Sequence, residues 1–134
     1  MNRVDTVMLI DDEEADNFLH RRAIDATGLA DRVVVFDTAT AALARLTEAH
    51  AGLAVVPDLI FLDINMPGMN GWEFLDAYRE LPSEHVRTRL VVLTTSMNPA
   101  DEQRAVHDPL VHRYLPKPLT ADAFADLATA FADG

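Results

Sequence analysis

Cysteine is absent from this 134-residue chain, and lysine occurs once. Without cysteine there is no disulfide framework and no thiolate chemistry, which suits a cytoplasmic protein held together by its core. Basic residues are scarce altogether: eleven stand against 22 acids, for a formal net charge of −11. No basic stripe exists to neutralise phosphates, so the composition argues against a nucleic-acid partner and fits a basic docking surface or a bound cation. Long hydrophobic runs are also missing. The longest are four to six residues, as at Ala51–Val56, and cannot span a bilayer. Met1–Asp5 lacks the apolar stretch of a signal peptide, and no membrane partner is expected.

What is present is 49% hydrophobic residues in short, ordered blocks, enough for one domain over residues 1–134 with a real core. Val7-Met8-Leu9-Ile10, Val33-Val34-Val35-Phe36, Leu59-Ile60-Phe61-Leu62 and Leu90-Val91-Val92-Leu93 are continuous, and a weaker fifth run ends at Tyr114-Leu115. Unbroken apolar runs of this length read as strands covered on both faces, as in a parallel sheet. Between them, Ala39/Ala42/Leu43/Leu46, Phe74/Leu75/Tyr78/Leu81 and Phe124/Leu127/Ala128/Phe131 fall at helical spacing. Thr38, Asn70, Asn98-Pro99 and Thr120 stand where helices two to five should start. Ala51–Pro57 reads as a longer loop or an extra half-turn. The alternation predicts an α/β fold: a doubly wound, five-stranded parallel sheet with five helices and right-handed crossovers.

The polar residues gather at the strand ends. Asp11-Asp12-Glu13-Glu14 follows the first strand, Asp63 the third, Thr94-Thr95-Ser96 the fourth and Lys117 the fifth. Ligands of open α/β sheets bind beyond the carboxyl ends of the strands, where the strand order reverses. With the order 2-1-3-4-5, Asp11, Asp12 and Asp63 converge in one cleft, walled by the threonine and the lysine. Like charges so close raise one another's pKa, and a hard divalent cation resolves the conflict; Mg²⁺ takes one or two carboxylates, a carbonyl and waters. Such a site suits a phosphoryl group, with a carboxylate as nucleophile and the metal, ammonium and hydroxyl stabilising the equatorial oxygens.

Asp11-Asp12, Asp63-Ile64-Asn65-Met66-Pro67-Gly68-Met69-Asn70-Gly71, Thr94 and Lys117-Pro118, in that order at strand ends, resemble the receiver domain of two-component response regulators over essentially the whole chain. The resemblance implies a flavodoxin-like receiver fold and a phosphorylation switch, catalysing only its own phosphorylation and dephosphorylation. It makes Asp63 the acceptor of a phosphoryl group from a histidine kinase, Asp12 a direct Mg²⁺ ligand, Asp11 a ligand acting mainly through metal-bound water, and Asn65 the donor of a backbone carbonyl. Lys117 pairs with Asp63 and then with the phosphate, across a cis Lys117–Pro118 bond. Thr94 is the hydroxyl that moves onto the phosphoryl oxygen, and Tyr114 the aromatic that follows it. The chain ends at Gly134, soon after the fifth helix, so the expectation is no output domain and output through protein contact: a downstream target, a phosphotransfer protein or a homodimer. The triplet Thr94-Thr95-Ser96 is similar to that of stand-alone receivers, some serving phytochrome-type kinases.

Several readings stay open on the residues alone. Either Thr94 or Thr95 fits the switch position; Thr94 leaves Thr95-Ser96-Met97-Asn98-Pro99 as the loop into helix four, and Thr95, where the family often has alanine, then crowds access to the phosphoryl group. Tyr114 also reads as edge-strand packing. His107-Asp108-Pro109-Leu110 departs from the family's tight Gly-Ala turn, leaving the usual signalling face open. His20, His50, His85, His107 and His112 show no ligand spacing and read as surface residues. Glu13 and Glu14 read as a first-turn acidic run, Trp72 as helix-three packing, and Asp122, Asp126 and Asp133 as a solvated face. A different class, a Mg²⁺-dependent aspartyl-phosphate phosphatase or phosphotransferase, wants a second acid two residues after its nucleophile, where this chain has Asn65. A flavodoxin-like cofactor binder wants a Ser/Thr-rich loop after strand one, where this chain has acids.

Overall fold

Val7-Met8-Leu9-Ile10 is apolar at every position because both faces of its strand are covered. In the computed structural model, which describes residues 3–82 and 88–133, Val7 and Leu9 enter one core while Met8 and Ile10 enter the other. The elements alternate: β1 (Val4–Ile10), α1 (Glu14–Thr27), β2 (Ala30–Phe36), α2 (Ala39–His50), β3 (Leu59–Leu62), α3 (Gly71–Tyr78), β4 (Arg89–Thr94), α4 (Pro99–Val106), β5 (Val111–Pro116) and α5 (Ala121–Asp133). The strands form one parallel sheet in the order β2-β1-β3-β4-β5, the expected flavodoxin-like architecture.

The central strand β3 is buried at all four positions, whereas the edge strands β2 and β5 are half-buried. On one face, Ile24 of α1 and Phe124, Leu127, Ala128 and Phe131 of α5 pack on Val7, Leu9, Phe61, Val91 and Leu93. On the other, Ala39, Ala42 and Leu46 of α2 and Phe74 and Leu75 of α3 pack on Met8, Ile10, Ile60, Leu62 and Val92. Each of these large side chains withdrawn from water contributes about 1.5–3 kcal/mol of transfer free energy.

Helix starts follow local chemistry. Thr38 Oγ1 accepts from the Ala41 amide at 3.1 Å, and Asn98 Oδ1 accepts from Ala100 at 3.0 Å with Pro99 just inside α4. Asn70 forms a reciprocal capping box with Glu73, and Thr120 Oγ1 accepts from Ala123 at 3.1 Å. Such caps satisfy amides that a helix start otherwise leaves orphaned. Residues 51–58 form the turn and loop expected between α2 and β3, with Gly52 at φ 81°.

Candidate functional site

Backbone pairing at the strand ends assembles the cleft. The Asp11 amide donates to Phe36 O at 3.1 Å, the Asp63 amide to Ile10 O at 3.0 Å, and the Lys117 amide to Thr94 O at 3.0 Å. Asp63 therefore leaves β3 beside Asp11, and Lys117 leaves β5 beside Thr94. The loop after Asp63 is closed by the Gly71 amide donating to Ile64 O at 3.1 Å. A Cβ at Gly71 would lie 2.5 Å from Ile64 Cα, so only glycine permits this approach of α3 to β3. The loop turns at Gly68, whose φ of 72° favours glycine.

Asp11, Asp12 and Asp63 bring carboxylate oxygens within 4.8 Å of one another. Among the described residues, one cation pairs with them. Lys117 Nζ lies 2.6 Å from Asp11 Oδ2, 2.8 Å from Asp16 Oδ2 and 3.2 Å from Asp63 Oδ2, with 7% of its side chain exposed. Burial alone would lower the lysine pKa, but hydrogen bonds to Asp11 and Asp16 and the charges of Asp11 and Asp63 outweigh it and raise it, so Lys117 is protonated. Burial pushes the Asp11 carboxyl up, against the hydrogen bonds from Lys117 and the Glu13 amide; the charge of Asp63 pushes the same way. Asp12 Oδ1 is buried with no partner among the described residues. A buried carboxylate oxygen costs free energy unless something pairs with it.

The remaining predicted residues line the walls. Asp63 Oδ1 accepts from the Asn65 amide at 3.2 Å, and the Asn65 side chain is exposed. Thr94 ends β4 buried, its Oγ1 accepting from the Ser96 amide at 3.1 Å, whereas Thr95 is exposed. Tyr114 is half-buried on the same sheet face, and its hydroxyl donates to Ser96 O at 3.3 Å. Lys117–Pro118 is cis. The 107–110 segment is a turn: the Leu110 amide donates to Asp108 Oδ1 at 2.9 Å, the Val111 amide to Asp108 O at 3.0 Å, and Arg79 Nη2 reaches Asp108 Oδ2 at 2.9 Å.

Three features escaped the sequence reading. Asp16, in the first turn of α1, is a second close partner of Lys117. Trp72 does more than pack on α3: its Nε1 donates to Asp101 Oδ1 at 3.3 Å, Arg104 lies 4.5 Å from its ring centroid, and Ser96 Oγ donates to Asp101 Oδ2 at 2.6 Å. The third corrects an expectation. His20 is not a surface residue: it is 2% exposed and, with Asn17, lines a small cavity behind Asp11 and Asp63. Burial, and secondarily the Lys117 charge, lowers its pKa. It belongs to the inward face of α1, where Asn17 donates through Nδ2 to Asp11 O at 2.8 Å. His50 is half-buried, its Nδ1 against the Pro82 carbonyl and its ring edge-on to Tyr78, while His107 and His112 are exposed as expected. His85 lies outside the described residues, as does the side chain of Asp133; Asp122 and Asp126 are exposed.

Residues 7–129 match the family described as the response regulator receiver domain, and the chain belongs to it. It is 31% identical over 121 residues to the probable methanogenesis regulatory protein FilR2 of Methanothrix harundinacea, covering 90% of this chain and 75% of that protein. A solved two-component response regulator from Cytophaga hutchinsonii superposes with a TM-score of 0.89 at 32% identity, covering 98% of this chain and 99% of that one. The bacteriophytochrome response regulator AtBRR does so with a TM-score of 0.74 at 27% identity, covering 94% and 92%. Matches also lie inside longer proteins: the chain spans 13% of the sensor histidine kinase GacS of Pseudomonas protegens.

Proposed function

We propose that this receiver domain takes a phosphoryl group from a kinase phosphohistidine onto Asp63 and signals by the change of state that follows. The observation that carries the reading is the Asp63 carboxylate itself. It sits at the end of β3, 6% exposed, one oxygen held by the Asn65 amide and the other 3.2 Å from the Lys117 ammonium. An Asp63 oxygen attacks phosphorus, the P–N bond to the donor imidazole breaks with its electron pair leaving on nitrogen, and a mixed anhydride forms.

Mg²⁺ fits the residues present. Three hard oxygen donors lie close together, and Asp12 Oδ1 is buried without a partner among the described residues, as suits an oxygen that ligates a cation directly. As the receiver resemblance implies, Asp12 and Asp63 would hold the ion directly, Asp11 mainly through water, and Asn65 through its carbonyl. When bound, the cation supplies charge neutralisation for donor and acceptor oxygens. Lys117 holds a phosphoryl oxygen as a point charge. Thr94, with Tyr114 behind it, supplies the hydroxyl. Its present bond from Ser96 is the contact exchanged when Thr94 turns to the phosphoryl group.

The added charge of about −1.5 to −2 acts on a pre-existing equilibrium. Moving such an equilibrium from 1:99 to 99:1 takes about 5.5 kcal/mol, the scale of two or three charge-assisted bonds. Likeness to a bacteriophytochrome response regulator supports a phytochrome-type histidine kinase as donor. The receiver of the output is a downstream protein, a phosphotransfer protein or a second copy of the chain. Size-exclusion with and without beryllofluoride distinguishes the last.

The test is phosphotransfer from acetyl phosphate and from candidate kinases, with and without Mg²⁺. The wild type is expected to take one slowly lost phosphoryl group per chain and Asp63→Asn none; label retained by Asp63→Asn would overturn the assignment. Repeated turnover of a small phosphate ester would instead favour an enzyme.

A further inference from the structure

Lys117 has three ammonium N–H groups and three carboxylate partners, of which two belong to the acid cluster that would hold a cation. The third, Asp16, does not. It projects from the first turn of α1 at 2.8 Å, closer than Asp63 at 3.2 Å, from a position 101 residues earlier in the chain. Its side chain is 34% exposed where that of Lys117 is 7% exposed, so the lysine head lies between a solvent-facing acid and two buried ones.

A cation seated among Asp11, Asp12 and Asp63 competes with the ammonium for the Asp11 and Asp63 oxygens, because each carboxylate has few free lone pairs. It does not compete for Asp16. A lysine stem has four flexible carbons and much rotamer freedom to lose. Whatever continues to grip the head once the cluster is loaded decides where its remaining donors point.

We infer that Asp16 is a positioning residue: it holds one N–H of Lys117 against α1, which keeps the other two directed at Asp63 and at a phosphoryl group upon it. The inference rests on the phosphoacceptor reading of Asp63. It adds α1 to the elements that set the rate of phosphoryl uptake, through a residue outside the acid cluster. Asp16→Asn leaves Asp11, Asp12 and Asp63 in place but frees the lysine head.

The single lysine makes the claim directly measurable. Labelling with side-chain ¹⁵N-lysine gives one ammonium signal, observed without metal. In Asp16→Asn that signal is expected to move and its protons to exchange with water roughly tenfold faster, as loss of a charge-assisted bond implies. Asp16→Glu should restore part of the protection. With acetyl phosphate and Mg²⁺, Asp16→Asn should label roughly three- to tenfold more slowly than wild type, and Asp16→Glu in between. Circular dichroism of each variant must match wild type. An ammonium signal unchanged in Asp16→Asn overturns the inference, and so does an altered signal with an unchanged labelling rate. If wild type takes no label on Asp63, the phosphoacceptor reading fails instead, and an altered ammonium signal then leaves Asp16 as a structural ion pair only.

Discussion

The cleft at the ends of β1 and β3 and the corner where α3 meets α4 and β5 are both rich in polar side chains, yet they are built on opposite terms. In the corner each charge has its own partner: Arg79 with Asp108, Arg104 over Trp72, and Asp101 accepting from Trp72 and Ser96. In the cleft, Asp11, Asp16 and Asp63 share one ammonium, and Asp12 Oδ1 has no partner among the described residues. The corner fixes shape; the cleft gathers more carboxylates than its one lysine pairs. Ser96 joins the two, giving its amide to Thr94 and accepting from Tyr114 at its carbonyl.

Removing the cleft's one cation should have the largest effect. Lys117→Met leaves the acids facing one another and is expected to cost about 3 kcal/mol in metal-free urea denaturation, at the low end for a broken buried pair because water reaches the cleft mouth. Added Mg²⁺ should recover part of the loss. A variant as stable as wild type would mean that the cleft acids are no more strained than those of the corner.

Neutralising an acid of the cleft should do the reverse. Asp12→Asn is expected to raise metal-free stability by about 1–2 kcal/mol, as relief at a strained functional site does. It should also abolish the gain wild type shows with Mg²⁺, about 1.4 kcal/mol at ten times Kd. In the corner the same kind of change destabilises. Asp101→Ala should cost about 1 kcal/mol, leave the Mg²⁺ gain intact and shift the fluorescence of Trp72, the chain's one tryptophan.

The smallest effect is expected at Arg79→Gln, about 0.5 kcal/mol for a partly exposed pair. Its pH dependence has a definite sign. Burial alone would raise the Asp108 pKa, but Arg79 and the Leu110 amide outweigh it and hold it below the ordinary 3.8. The pair therefore contributes stability fully above that value and loses it as pH falls through the lower folded value. The difference between Arg79→Gln and wild type should be flat near neutrality and close in acid; a difference that grows on acidification would place the effect elsewhere.

Much of the fold was legible because its signals are local. Continuous apolar runs located four strands and a weaker run the fifth, and Thr38, Asn70, Asn98 and Thr120 located four helix starts. Strand ends were less so: β1 begins at Val4 rather than Val7, because Val4 and Thr6 pair with Ala30 and Arg32 of β2, an extension set by tertiary pairing. The acids of the cleft were legible because each directly follows a strand. Asp16 was not, since its partner lies 101 residues away. Nor was His20: the inward face of α1 carries Asn17, His20 and Ile24, and two polar residues on a buried face erase the apolar period that marks such a face. The polar ties of Trp72 depend on α4 reaching α3, which no local pattern encodes.

The most direct measurement of the central claim is intact-protein mass spectrometry after incubation with acetyl phosphate and Mg²⁺, followed by localisation of the adduct. The account predicts the mass of one phosphoryl group on wild type, carried by Asp63, lost on hydroxylamine treatment and absent when Mg²⁺ is chelated. An unmodified protein under conditions where another receiver is labelled, or an adduct on any residue but Asp63, would contradict it.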